Sequence, residues 1–194
     1  MYTKPGLQTE PWNLPVGQIK DLILTCFKNL NQSFTEELNT ETAYGSLSNG
    51  IKYVDDRILA DGPAEIGYDG EKGVITVYEP FLAFLWCFCY LFITTRASQH
   101  LKYEISDEKR LQAIALFEYG LSLFKKWSEW DLTLPNPATY EEKECAHIEE
   151  VNTLFCFSAA FILCHEFGHH FYGLGLWMLF KQKKLGKKFD VVYV

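Results

Sequence analysis

The chain reads as a mainly α-helical α+β domain with a small β hairpin or edge strand. Three observations predict this. Apolar residues recur at helical spacing over 18–30 and 114–124, and two further runs, 81–95 and 151–164, are uncharged, mostly apolar and of helix length. One short β-branched and aromatic segment stands beside strong turn chemistry. The last apolar run carries the pentapeptide HEFGH, residues 165–169, in a setting that predicts a buried helix.

Taken in order, Pro5, Gly6, Pro11 and Pro15 predict an irregular N-terminal arm over residues 1–17. A single domain then spans 18–180, followed by a Lys-rich tail over 181–194. Residues 18–30 place Ile19, Leu22, Ile23, Cys26, Phe27 and Leu30 at helical spacing, an amphipathic first helix. Residues 31–50 are polar and rich in Ser, Thr and Asn, with a short helix over 34–44. Turn chemistry at 68–73 followed by Val74-Ile-Thr-Val-Tyr78 predicts a hairpin or edge strand. Such an edge beside a catalytic helix would pair with an extended peptide; its other reading is purely structural.

Residues 81–95 are apolar, uninterrupted and too long for a typical strand, so they form a buried helix. Ser106 caps the next helix, over 107–130, whose Ile114, Phe117, Leu121 and Phe124 line one apolar face. Pro135 and Pro137 mark a loop over 132–139. A capping box at Thr139-Tyr-Glu-Glu142 opens a last helix, from about Tyr140 to about Tyr172, stopped by Gly173 and Gly175. After the apolar residues 174–180, five lysines between Lys181 and Lys188 read as a solvated basic end or as an anionic-surface contact.

Composition narrows the function classes. Apolar residues make up 48% and charged residues 22%, which is globular composition. A net charge of -7 argues against general binding to a phosphate backbone, so no nucleic-acid partner is expected. None of the six cysteines forms a Cys-x-x-Cys pair; buried free thiols in a reducing compartment, and hence a cytoplasmic protein, are expected. No basic segment followed by an apolar core opens the chain, so no signal peptide is read. The uncharged runs 80–95 and 151–164 are shorter than the ~20 residues of a membrane span. No integral span is expected, which leaves room for peripheral membrane contact.

Residues four apart lie on one helix face, so His165 and His169 can share one Zn2+ while Glu166 polarises a water bound to it. In that reading Glu166 is the catalytic base, taking the water proton and returning it to the leaving amine. The chemistry is that of a zinc-dependent endopeptidase, on a zincin-like helix. The plain alternative is two histidines and a glutamate that satisfy core hydrogen bonds. Gly168 leaves room for substrate or for close helix packing. Cys164 points about 100° away from His165 and is not expected to bind metal.

A catalytic zinc usually has three protein ligands, and the third is not evident here. His170 projects away from His169 and reads as a surface or supporting histidine. Glu149 and Glu150 lie roughly 22 Å up a continuous helix from His165 and would approach only if that helix broke; Glu144 and His147 are placed no better. Asp190 is the remaining downstream candidate for the third metal position. If that position is empty, the chain is a catalytically incomplete peptidase fold acting as a protein-interaction module. A membrane-embedded protease built on the two apolar runs is disfavoured by their length.

The run VNTLFCFSAAFILCHEFGHH, residues 151–170, resembles the motif helix of the Lit-type phage-exclusion zinc peptidases. The strand VITVY, 74–78, with FLAFLWCFCY, 81–90, resembles the segment that precedes it there, so the likeness covers about residues 66–172. It implies a bacterial intracellular zinc endopeptidase of antiviral defence whose target is translation elongation factor Tu. By position it makes His165 and His169 ligands and Glu166 the base. The family's further acidic ligand lies well downstream, where the Lys-rich tail of this chain does not match, which implies a truncated or frame-shifted member. Repressor-cleaving regulatory metallopeptidases are a related option.

Overall fold

A computed structural model describes residues 2–3, 14–54, 64–69, 72–100 and 105–184. It is a helical assembly around one long C-terminal helix, with a small mixed sheet against the half of that helix that carries the motif. The expected α+β class is what is found.

The N-terminal elements build one flank. β1 (Tyr2–Thr3) pairs antiparallel with β5 (Thr139–Tyr140). A 3-10 turn, Pro15–Ile19, follows the buried Leu14. Val16 and Ile19 are also buried, so residues 14–17 of the expected arm belong to the core. The backbone amide of Leu14 donates to the Glu79 carboxylate at 2.9 Å, which secures this turn to the start of a distant helix. α1 (Lys20–Lys28) buries Ile23 and Phe27. α2 (Gln32–Ala43) starts at Asn31, whose side chain accepts from the Phe34 amide at 3.0 Å and satisfies one of the free donors of the first turn.

β2 (Leu47–Val54) was hidden in the sequence, because Ser48, Asn49 and Gly50 dilute its apolar alternation. It pairs in parallel with β4 (Lys72–Tyr78), which pairs antiparallel with β3 (Ala64–Asp69). The expected hairpin is therefore present, with Asp69 opposite Lys72. Its place in the sheet corrects the edge-strand alternative: the order is β2-β4-β3, so residues 74–78 are central and β3 is the edge. Burial explains the difference. Ile75, Val77 and Tyr78 are covered, as the apolar content of a central strand requires.

α3 (Glu79–His100) runs straight on from β4. It buries Leu82, Ala83, Trp86, Cys87, Tyr90 and Ile93 but leaves Phe88 and Phe92 nearly half exposed, so it is not buried all round. α4 (Asp107–Ser122) is capped by Ser106, as expected, but stops before residue 130. Its inward residues are Ala113, Leu116 and Gly120. Ile114, Leu121 and Phe124, expected inside, are over 40% exposed. The cause is close approach. A Cβ on Gly120 would lie 3.0 Å from Cβ of Cys87 and 3.3 Å from Cα of Phe84, so α3 and α4 meet through small side chains.

α5 (Cys145–Lys184) is the axis of the molecule. It begins later than expected, because Thr139 and Tyr140 are taken by β5 and a 3-10 turn covers Glu142–Glu144. The Thr139–Glu142 capping box is thus not formed. The helix also passes through Gly173 and Gly175, since a glycine weakens a helix by about 1 kcal/mol without ending it. Asn152 ties it to its surroundings: its side chain accepts from Trp86 Nε1 at 2.7 Å and donates to the Pro137 carbonyl at 2.9 Å. Residues 142–173 are long and apolar enough to cross a membrane by length and composition, and half of their most apolar window is buried in the protein, as in a core helix. The cysteines are free thiols, with Cys87, Cys89 and Cys156 buried.

Candidate metal centre

The motif lies in the unbroken middle of α5, where the helix is half covered. At about 100° per residue, Leu163, Glu166, Phe167 and His170 share the inward side, and all four are buried. Phe167 packs edge-on against Phe34 of α2, ring centres 5.3 Å apart. His165 and His169, one turn apart, face out. Their Nε2 atoms are 2.9 Å apart and their rings meet edge to face. With Glu166 they form the group of potential metal ligands found among the described residues, all ligand atoms lying within 4.8 Å of one another.

The histidine pair suits a zinc ion. Two imidazole nitrogens one helical turn apart are usual protein ligands for it, at about 2.0–2.1 Å each, with the carboxylate beside them. Two nitrogens so placed around one ion stand roughly 3–3.5 Å apart, a small rotamer adjustment from the spacing seen. Glu166 sits on the same turn, 9% exposed, one position round from the two histidines.

The surroundings of the pair separate the remaining candidates. Burial pushes the Cys164 thiol up to about 11, so it stays a neutral thiol beside the site and a poor ligand. A Cβ on Gly168 would meet nothing within 4 Å, so the space beside it is open and close helix packing is excluded there. Glu149 accepts from the Tyr140 hydroxyl at 2.9 Å, far up the helix, and Glu144 meets Lys109 at 3.4 Å. His147 is buried beside Thr94, 3.1 Å from its hydroxyl, and burial holds its pKa down to about 4. As α5 does not break between these residues and His165, none of them reaches the motif. Asp190 lies outside the described residues.

His170 is not at the surface. It is fully buried, and burial lowers its pKa against the opposing pull of Glu41. Its Nδ1 lies 3.5 Å from the Tyr68 hydroxyl and its Nε2 3.6 Å from the Glu41 carboxylate. Neither Tyr68 nor Glu41 stood out in the sequence, because they come from separate elements distant along the chain. The inward direction of His170 did have a local signal: it lies four residues after Glu166, on the same face.

The model of the peptidase U49 family matches residues 75–173, just over half of the chain, from the central strand through the motif helix. The chain belongs to the peptidase U49 family. No curated protein and no solved structure matches it significantly. Membership places this U49 chain among hydrolases that act on peptide bonds. The matched segment contains His165, Glu166 and His169, together with most of β4 and the whole of α3 and α4.

Proposed function

We propose that this U49 chain is a zinc-dependent endopeptidase, with His165 and His169 as metal ligands and Glu166 as the catalytic base. The observation that carries the reading is the pair of outward imidazoles, 2.9 Å between nitrogens, with a carboxylate on the same turn. When bound, zinc would supply an acidified water and a polarised scissile carbonyl. Glu166 accepts the proton of the attacking water on its carboxylate and passes it to the departing amine nitrogen. His165 and His169 act as neutral ligands, their rings held by the rigid helix one turn apart.

The substrate strand has a natural place. Among the described residues β3 is an edge, paired only with β4. At the other edge strand, β2, the Tyr53 hydroxyl donates to the Lys20 carbonyl at the start of α1 at 3.4 Å. β3 touches α5 through Tyr68 and His170, so an extended peptide added to its free edge would run beside the exposed histidines. The resemblance of residues 151–170 to the Lit-type helix supports a narrower version: cleavage of translation elongation factor Tu in the cytoplasm, in phage exclusion.

A second reading is a catalytically incomplete interaction module. It is favoured by the absence of a third ligand beside the motif among the described residues. Elemental mass spectrometry of wild type and His169→Ala separates the two. Near-stoichiometric zinc that is lost in the variant, with proteolysis of elongation factor Tu abolished by Glu166→Gln in a folded protein, supports the peptidase. A folded wild type without zinc after zinc is supplied, or cleavage that survives Glu166→Gln, overturns it.

A further inference from the structure

We infer that His170 is a positioning residue, the key that sets the rotation of α5 and so presents His165 and His169 together on the open side. The inference rests on the zinc reading for its purpose, but its geometry stands by itself. The fully buried imidazole touches three other elements. From α2, the Glu41 carboxylate faces its Nε2 at 3.6 Å. From β3, the Tyr68 hydroxyl faces its Nδ1 at 3.5 Å. From β4 the backbone of Gly73 closes in so tightly that a Cβ there would lie 2.6 Å from Nδ1 and 2.9 Å from Cε1.

That socket is itself braced. The Gly73 amide donates to the Ser46 carbonyl at 2.7 Å, joining β4 to the turn after α2. Ser46 in turn donates its hydroxyl to the Glu41 carbonyl at 2.8 Å and also contacts the Glu41 carboxylate. A carboxylate only accepts, so a ring proton on Nε2 would point at Glu41 and leave Nδ1 to accept from the Tyr68 hydroxyl. A helix turns about 100° per residue, so seating residue 170 fixes 169 and 165. At this level Leu163 and Phe167, the latter packed on Phe34, share the inward side with His170, which adds the polar, directional contacts that apolar side chains lack. A hydrocarbon side chain in place of His170 would take away the polar partner that the half-buried Glu41 carboxylate and the Tyr68 hydroxyl face.

The test is Co2+ affinity, by competition with a chromophoric chelator, together with the ring-nitrogen NMR shifts of His165 and His169 in the metal-free full chain. His170→Leu and Gly73→Ala should weaken cobalt at least tenfold and shift both rings, with helical circular dichroism retained. His170→Gln, which keeps a donor and an acceptor, should stay within about threefold of wild type. Asn152→Ala, which loosens the far end of α5, should leave cobalt affinity and ring shifts unchanged. Wild-type affinity and shifts in His170→Leu and Gly73→Ala would overturn the inference, as would an equal loss in Asn152→Ala. If the wild type takes up no cobalt, the zinc reading fails, and the ring shifts decide the positioning role alone.

Discussion

Replacing Asn152 by Ala removes a side chain that joins α5, α3 and the loop before β5. Its amide makes two buried hydrogen bonds, accepting from Trp86 Nε1 at 2.7 Å and donating to the Pro137 carbonyl at 2.9 Å. Trp86 is completely buried and Pro137 is covered, so water cannot replace either partner without opening the core. Each orphaned group costs about 1–3 kcal/mol, which sums to about 2–6 kcal/mol for the variant. That is a large part of the ~5–15 kcal/mol by which a domain is stable. Urea unfolding at pH 7 should therefore show a much lower midpoint with an unchanged slope. A double-mutant cycle with Trp86→Phe should return a coupling of about 1 kcal/mol or more for the indole bond. If Asn152→Ala unfolds within about 0.5 kcal/mol of wild type, the bridge contributes little and the account of how α5 is held is wrong.

Burial keeps His147 neutral, with a pKa of about 4 in the folded chain against a usual value near 6.5. The unfolded chain takes up this proton first, so stability is complete above pH 6.5 and falls as the pH drops toward 4, by at most about 1.4 kcal/mol per unit. In His147→Gln, urea midpoints measured across that window should decline less steeply; an identical slope would remove His147 as the cause. Two glycines should respond in opposite directions to Ala. Gly120→Ala forces a Cβ to 3.0 Å from Cys87 and should lower stability by about 1–2 kcal/mol despite the better helix propensity. Gly168→Ala enters open space and should raise stability by about 0.5–1 kcal/mol in the same thermal scan. Phe157 and Phe161, 58% and 73% exposed on the turns before His165, should tolerate Ser substitution with thermal midpoints changed by only a few degrees. A large drop would mean that they are covered.

The comparison of expectation with structure turns on range along the chain. Helix spacing, caps and the hairpin were legible because each depends on residues within a few positions of one another. Ser106 caps the helix that follows it and the 68–78 segment makes its hairpin, whereas the Thr139–Glu142 box did not form because Thr139 and Tyr140 pair as β5. In α4 and just after it, side-chain size points to Ile114 and Phe124 as inward, whereas close helix approach selects Ala113 and Gly120 and leaves the larger residues exposed. β2 escaped because its partner lies across an intervening strand, and parallel pairing leaves no local turn signal.

For the candidate site the division is the same. The sequence by itself determined the chemistry: two histidines four apart with a glutamate between them, on a helix, since spacing along one element sets which residues share a face. The tertiary structure decided which way that face points. His165 and His169 are outward and Glu166 is buried beside them because the sheet and α2 take the other side, with His170 seated between Glu41, Tyr68 and Gly73. No local pattern encodes that choice, because a helix has no preferred rotation until something packs against it.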